Sequence, residues 1–141
     1  KVVDVKIDFY DGKMHPVDSN DMAFQIAGRH AFIDAVKSAK PKLLEPIYSI
    51  KVKIPDDVMG DIMGDISSRR GKVQGMETEG HFQIINAEVP MANLHDYATA
   101  LKAMSSGRGM FSNEFSHYED MPHIEAEKVI SKWETARAAG E

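Results

Sequence analysis

The sequence of 141 residues contains no cysteine. Disulfide bonds, a cysteine nucleophile and metal sites built on thiolates are therefore excluded within it. It also has no run that approaches the ~18 consecutive apolar residues of a membrane-spanning helix. The first residues do not resemble a signal peptide, and they begin without methionine. We therefore expect part of a longer protein from a reducing compartment, with no membrane segment in this chain.

Positive charge is also scarce. The chain has 17 basic and 22 acidic residues and a net charge of −5, which argues against nucleic-acid binding by bulk charge. Residues 1–45 are neutral overall, so residues 46–141 carry the whole negative excess. The densest basic cluster is Arg69-Arg70 followed by Lys72. Any contact with RNA is therefore expected to be local.

Residues 1–45 show the pattern of one strand and one helix. Alternation of apolar and charged residues predicts a half-buried strand over residues 1–10, with an apolar face made by Val3, Val5, Ile7 and Phe9. Ser19 is a suitable N-cap for a helix that runs to about Lys40. Residues 42–46 are interpreted as a linker. Because a single strand cannot form a sheet, this part of the chain is interpreted as an incomplete domain.

Residues 47–118 show the order β-α-β-β-α-β. This order predicts an α+β, ferredoxin-like fold, in which two helices cover one face of a four-stranded antiparallel sheet. Gly71, after the first of these helices, is expected in the left-handed conformation that ends many helices. Hydrophobic residues make up 43% of the chain, enough for a core. The predicted elements are strands over 47–54, 72–78, 81–89 and 109–118, helices over 55–70 and 92–104, and a closing helix over 123–138.

No catalytic, cofactor-binding or metal-binding motif is found. The six histidines form no HxxxH or HExxH pair, and no P-loop, GxSxG or kinase signature occurs. Gly60 and Gly64 suggest close approach of another backbone to their helix, from the sheet or from an external partner. An RNA-recognition motif shares the strand order but needs aromatic residues on its central strands, and the third strand offers only Phe82. The residues alone leave a ferredoxin-like module without an assigned function.

Short strings distributed along the whole chain carry a family resemblance. They include His15-Pro16-Val17-Asp18-Ser19, Met22-Ala23-Phe24, Leu43-Leu44-Glu45-Pro46-Ile47, Met59-Gly60-Asp61, Ser68-Arg69-Arg70-Gly71, Gln74-Gly75-Met76-Glu77, Ala87-Glu88-Val89-Pro90, Tyr97-Ala98-Thr99, Gly107-Arg108-Gly109 and His117-Tyr118-Glu119. Each string is modest alone. Their succession resembles the C-terminal part of elongation factor G or of a paralogue of it.

The resemblance implies a fragment of a translational GTPase that acts in the cytoplasm. Residues 1–45 would be the C-terminal half of domain IV, a ribosomal-S5-domain-2-like fold. Residues 46–122 would be the complete ferredoxin-like domain V, and residues 123–141 a C-terminal helix or tail. GTP and Mg would be bound by the full-length parent, so the fragment itself would be no enzyme and would hold no cofactor. The parent would act in tRNA and mRNA translocation or in ribosome recycling.

The resemblance also implies partners and site residues. Domain IV would enter the decoding region near tRNA and mRNA, and His15 falls in its tip loop, residues 11–19. Domain V would lie against ribosomal RNA and the region of ribosomal protein L11. Residues that would face this RNA, where basic side chains neutralise phosphate without reading sequence, are Ser67, Arg69, Arg70 and Lys72. As exposed charges, the two arginines are expected to contribute little to stability.

Three questions stay open from the sequence. The alternative to a ribosome-binding fragment is a free regulatory module that binds a small ligand between helices and sheet. The family pattern is broken at Pro16, Lys102 and Asn113, which leaves the paralogue open. The strand over residues 1–10 would have unpaired edges, so we expect the fragment to self-associate through it.

Overall fold

The computed structural model describes residues 2–140, and the chain divides into two compact units, residues 1–41 and 42–141. Among the described residues of the first unit lies one helix, α1 (Asp21–Ser38). Its N-cap is Asn20 and not the predicted Ser19, because the Asn20 side-chain oxygen accepts a hydrogen bond from the Ala23 N–H at 2.9 Å. The Ser19 hydroxyl is engaged in the preceding loop instead.

The prediction of a strand over residues 1–10 is wrong for residues 2–10, which are the described part of that segment. Residues 2–10 form no strand, and their apolar side chains are exposed, up to 94% for Tyr10. Alternation of side chains is only half of what a strand needs, because its N–H and C=O groups also require a neighbouring strand. Within residues 2–41 no other strand is present to provide it.

The prediction of self-association rests on this exposed segment, residues 2–10. Pairing with a second copy would satisfy the backbone groups of residues 2–10 and cover their apolar side chains. Sedimentation of the 141-residue chain should therefore show a dimer at a concentration at which residues 42–141 alone remain monomeric. Equal behaviour of the two polypeptides would exclude this segment as the interface.

The second unit has the predicted α+β, ferredoxin-like fold. Its four strands pair antiparallel in one sheet, in which the first strand of the sequence lies between the third and the fourth, and the second lies beyond the third. The first strand begins at Leu44, so part of the predicted linker belongs to the sheet. The strands are β1 (Leu44–Pro55), β2 (Lys72–Glu79), β3 (Phe82–Pro90) and β4 (Met110–Asp120), and the helices are α2 (Met59–Ser68), α3 (Tyr97–Met104) and α4 (His123–Ala138). In the described part of the chain, no helix is both long and apolar enough to cross a bilayer.

The core lies between the sheet and helices α2 and α3. Alternate residues of β1 and β3 point into it, because successive side chains of a strand point to opposite faces of the sheet. Burying each large apolar side chain contributes about 1.5–3 kcal/mol relative to leaving it exposed. The buried residues of this core are Ile50, Val52, Ile54, Ile62, Ile66, Ile85, Ala87, Val89, Tyr97 and Leu101.

The end of α2 differs from the prediction at Gly71. Arg70 takes the left-handed conformation, with a φ of 62°. The Arg70 N–H donates to the Ser67 carbonyl at 3.0 Å, and the Gly71 N–H donates to the Ile66 carbonyl at 2.8 Å, which together make a Schellman motif. Position 71 requires glycine because a side chain has no room there: a Cβ would lie 2.5 Å from Ile66 Cγ2.

Candidate functional site

The loop that carries His15 is closed by its own hydrogen bonds. The His15 N–H donates to the Ser19 hydroxyl at 2.7 Å, and the Ser19 N–H donates to the His15 carbonyl at 3.2 Å. The imidazole Nδ1 lies 3.2 Å from Oδ2 of Asp18, while 66% of the His15 side chain remains exposed. The loop therefore presents an imidazole that can bond to a phosphate or ribose oxygen.

Arg69, the first member of the predicted basic cluster, is held within the second unit. Its guanidinium donates to Asp65 at 2.8 Å, to Asp96 at 2.6 Å and to the Asn93 carbonyl at 2.8 Å. It also lies over the Tyr97 ring, 5.3 Å from the centroid. The hydrogen bond to Asp65, followed by the one to Asp96, raises the pKa of Arg69. The Arg69 side chain is only 14% exposed. Its hydrogen bonds connect α2 to the segment that leads into α3.

Arg70 is paired with a buried carboxylate. Both terminal guanidinium nitrogens donate to Glu45, one of them to each carboxylate oxygen. Glu45 lies on β1 and is 4% exposed. The hydrogen bond to Glu45 is the largest cause of the raised pKa of Arg70. The pair therefore ties the end of α2 to the first strand of the sheet.

Lys72 belongs to a more open charge network. Its ammonium lies 3.1 Å from one oxygen of Glu119, and His117 Nε2 lies 3.1 Å from the other. The bonds to His117 and Lys72, in that order, lower the pKa of Glu119. Lys72 and Glu119, with Arg70 and Glu45, line a charged cavity of about 240 Å³. Within residues 2–140, no three His, Asp or Glu side chains are grouped so that they could hold a metal ion.

The predicted cluster is thus divided between two sets of carboxylates. Arg69 bonds to residues of α2 and of the segment before α3, whereas Arg70 and Lys72 bond to β1 and β4. The expectation that the arginines are exposed charges is wrong, because both are bound to acidic side chains that lie far away in the sequence. Their expected small contribution to stability rested on that exposure. Lys72, whose side chain is 65% exposed, is the most accessible of the three cations.

The outer face of α2 is open. Ser67 is exposed there, and its hydroxyl donates to the Met63 carbonyl at 2.9 Å. A Cβ added at Gly60 or at Gly64 would meet nothing within 4 Å. The sheet therefore does not approach these glycines, which excludes the first of the two explanations that they suggested.

An aromatic group on β1 and β4 was missed by the sequence reasoning. The rings of Tyr48 and Phe115 have centroids 6.0 Å apart, and those of Phe115 and Tyr118 are 5.2 Å apart. Phe115 and Tyr118 remain about half exposed. The aromatic group becomes apparent only when Tyr48 is paired with Phe115 across the two strands, and this pairing cannot be read from either strand alone.

Comparison with known proteins places both units in one family. The family model described as Elongation factor G, domain IV matches residues 1–40, and the model Elongation factor G C-terminus matches residues 42–129. Elongation factor G of Aquifex pyrophilus is 49% identical over 131 residues, which cover 93% of this chain and 19% of that protein. A crystal structure of a protein from Thermus thermophilus superimposes with a TM-score of 0.75 at 43% identity, over 87% of this chain and 19% of that one. The chain thus spans about a fifth of the length of these relatives.

Proposed function

This chain belongs to the elongation factor G family, and from that membership we propose that it is the ribosome-binding C-terminal part of a translational GTPase. The parent protein would act in tRNA and mRNA translocation or in ribosome recycling. The observation that carries the proposal is the succession of two family domains, over residues 1–40 and 42–129, in a chain that covers 19% of its relative.

The chemistry of the nucleotide would belong to other parts of the parent. This chain contains no P-loop, and GTP and Mg would bind outside it. Its own role would be contact with the ribosome. We take residues 1–45 as the end of domain IV, residues 46–122 as domain V and residues 123–141 as the tail.

Domain V would contact ribosomal RNA in the L11 region through the end of α2 and the start of β2. Ser67 and Lys72 support this role because both are exposed there. Arg69 and Arg70 would shape the same surface, since carboxylates already neutralise much of their charge. Because one accessible lysine neutralises few phosphates, we expect the binding of this surface to depend only weakly on salt.

Domain IV would act in the decoding region through His15. Substituting His15→Ala in the full-length parent should slow movement of tRNA and mRNA by about ten- to a hundredfold, the effect of losing a hydrogen bond to a charged group. Ribosome-stimulated GTP hydrolysis should stay nearly unchanged, because the tip would act far from the nucleotide. Both rates can be measured by rapid mixing on the same ribosomal complexes.

The matched control is His30→Ala, which removes an exposed histidine from α1 in the same unit. This variant should move tRNA and mRNA at the native rate. If His15→Ala lowers hydrolysis and movement together, the role given to His15 is wrong. If His15→Ala moves tRNA and mRNA at the native rate but splits ribosomes more slowly, the parent is a recycling factor.

A further inference from the structure

Strand β4 forms one edge of the sheet, and its outer side is unpaired. It pairs with β1 alone, in a register that is unbroken from Met110 to Phe115. Among residues 2–140, the backbone of β4 makes no backbone hydrogen bond outside that pairing. An open row of N–H and C=O groups is a template for another strand, so β4 can accept an extended polypeptide.

The two edges of the sheet are protected to different degrees. The other edge, β2, begins with Lys72, a residue type that discourages edge pairing, and its register shifts between Val73 and Gly75. Strand β4 has 11 residues against the 8 of β2, and it contains neither lysine nor proline. Its register with β1 shifts only beyond Phe115. Of the two edges, β4 is therefore the more open to an added strand.

The side chains of β4 form an apolar row and an acidic row. Phe111 packs against the core, so Asn113 and Phe115 lie on the face of the sheet that carries the helices, because alternate residues of a strand share a face. Glu114 lies on the opposite face, where it is exposed and makes no ion pair within the described residues. An added strand would thus meet aromatic rings on one side and a free carboxylate on the other.

A groove beside the apolar row offers room for a side chain. Helix α3 and the start of β4 border a cavity of about 350 Å³. Its lining residues, most of them apolar, are Ala98, Leu101, Lys102, Gly109, Met110 and Phe111. Further along β4, Phe115 is half exposed, and its ring centroid lies 5.2 Å from that of Tyr118. Since side chains on one face of a strand recur every ~6.6 Å, successive apolar residues of an added strand would reach the groove and then the two rings.

We propose that β4 is a docking edge for an extended segment of another protein, in which basic and apolar residues alternate. The backbone of the segment pairs with Met110–Phe115, its apolar side chains lie in the groove and on Phe115, and its basic side chains face Glu114. RNA fits this edge poorly, because the carboxylates of β4 repel phosphate. A second β4 fits it poorly too, because two acidic strands would lie side by side. The inference adds a protein partner to the RNA contacts proposed above.

A synthetic peptide of alternating valine and lysine, nine residues long, serves as the probe for nuclear magnetic resonance of the 141-residue chain. We expect the amide signals of Met110–Phe115 to shift during the titration, whereas those of β2 stay in place. Nuclear Overhauser effects between backbone protons of the peptide and of β4 would identify strand pairing. The same peptide with glutamate in place of lysine should bind at least about tenfold more weakly, because like charges then face Glu114.

Two substitutions on β4 test the two rows, and each has a matched control. Glu114→Lys should weaken binding of the lysine peptide about tenfold, because an attraction becomes a repulsion, while Glu134→Lys on α4 should leave it unchanged. Phe115→Ala should weaken binding about three- to fivefold, the size of a cross-strand contact, while Phe82→Ala on β3 should leave it unchanged. All four side chains are exposed, and the spectrum of each variant without peptide confirms that it is folded.

Several results would overturn the proposal. The first is no binding of the lysine peptide, or binding that shifts other amides and not those of Met110–Phe115. Equal binding of the lysine and glutamate peptides, or equal effects of Glu114→Lys and Glu134→Lys, would remove the role of charge. Tighter binding of a nine-nucleotide uridine RNA at the same amides would assign the edge to RNA. Shifts of these amides that grow with the concentration of the chain alone would assign it to a second copy.

Discussion

Replacing Arg70 with alanine should lower the free energy of unfolding of the second unit by about 3 kcal/mol, because removing one partner of a buried pair leaves the other charge uncompensated. The remaining partner is Glu45, which is 4% exposed and bonded to Arg70 through both oxygens. We expect the lower end of the range for buried pairs, since a third of the Arg70 side chain meets solvent. Urea unfolding followed by circular dichroism measures the change.

Lys72→Ala is the matched control for Arg70→Ala. Lys72 is only two residues away and is also paired with a glutamate, but its side chain is 65% exposed. Exposed pairs contribute about 0–1 kcal/mol, so this variant should unfold almost as the native chain does. Arg70→Lys, which keeps the charge but loses the two-fold contact, should fall between them. Similar small losses for both alanine variants would show that the Glu45 pair does not stabilise the fold.

Gly71→Ala should also destabilise the second unit, by about 2–3 kcal/mol, the upper part of the range for overpacked cores. The added Cβ would lie 2.5 Å from Ile66 Cγ2 and 2.6 Å from the Ile66 carbonyl oxygen. That oxygen accepts the Gly71 N–H that closes the end of α2, and Ile66 is completely buried. Neither neighbour can move without disturbing the core or the helix end.

Gly75→Ala tests whether this loss is specific. Gly75 lies on β2, the strand that begins one residue after Gly71, and a Cβ there would meet nothing within 4 Å. We expect its effect to stay within about 0.5 kcal/mol, as for surface positions in general. The thermal midpoints of the two variants, measured under one set of conditions, give the comparison. Equal thermal midpoints for Gly71→Ala and Gly75→Ala would show that the end of α2 rearranges to make room for the added Cβ, and would contradict the prediction.

The fold of the ferredoxin-like unit was predictable because the buried residues of each element recur at short, regular intervals in the sequence. Ile50, Val52 and Ile54 alternate along β1, and Ile62 and Ile66 lie four residues apart on α2, so the sequence shows the buried face directly. The strand over residues 1–10 has an equally clean alternation, yet residues 2–10 form no strand. Periodicity identifies which side chains share a face but does not supply the neighbour that a strand must pair with.

The candidate site was less predictable, since its contacts join residues that are distant in sequence. Arg69 and Arg70 form the most basic stretch of an acidic unit, but Asp96 and Glu45 neutralise them from 27 and 25 positions away. The left-handed residue after α2 was assigned to Gly71 by its type, whereas in the structure Arg70 takes that conformation and its side chain pairs with Glu45. The role of Gly71 becomes visible only when the position of Ile66 is known.

We propose that the two units of this chain contact two different parts of the ribosome, and a cleavage probe placed on each unit tests this directly. The chain contains no cysteine, so Val17→Cys or Ser67→Cys adds one thiol to it, to which an iron chelate that cleaves nearby RNA can be attached. In a parent protein without other reactive cysteines, we predict that the probe at Val17→Cys cleaves small-subunit RNA in the decoding region, and that the probe at Ser67→Cys cleaves large-subunit RNA in the L11 region. Cleavage of the same subunit from both positions, or of neither, would contradict the assignment of the two units to two parts of the ribosome.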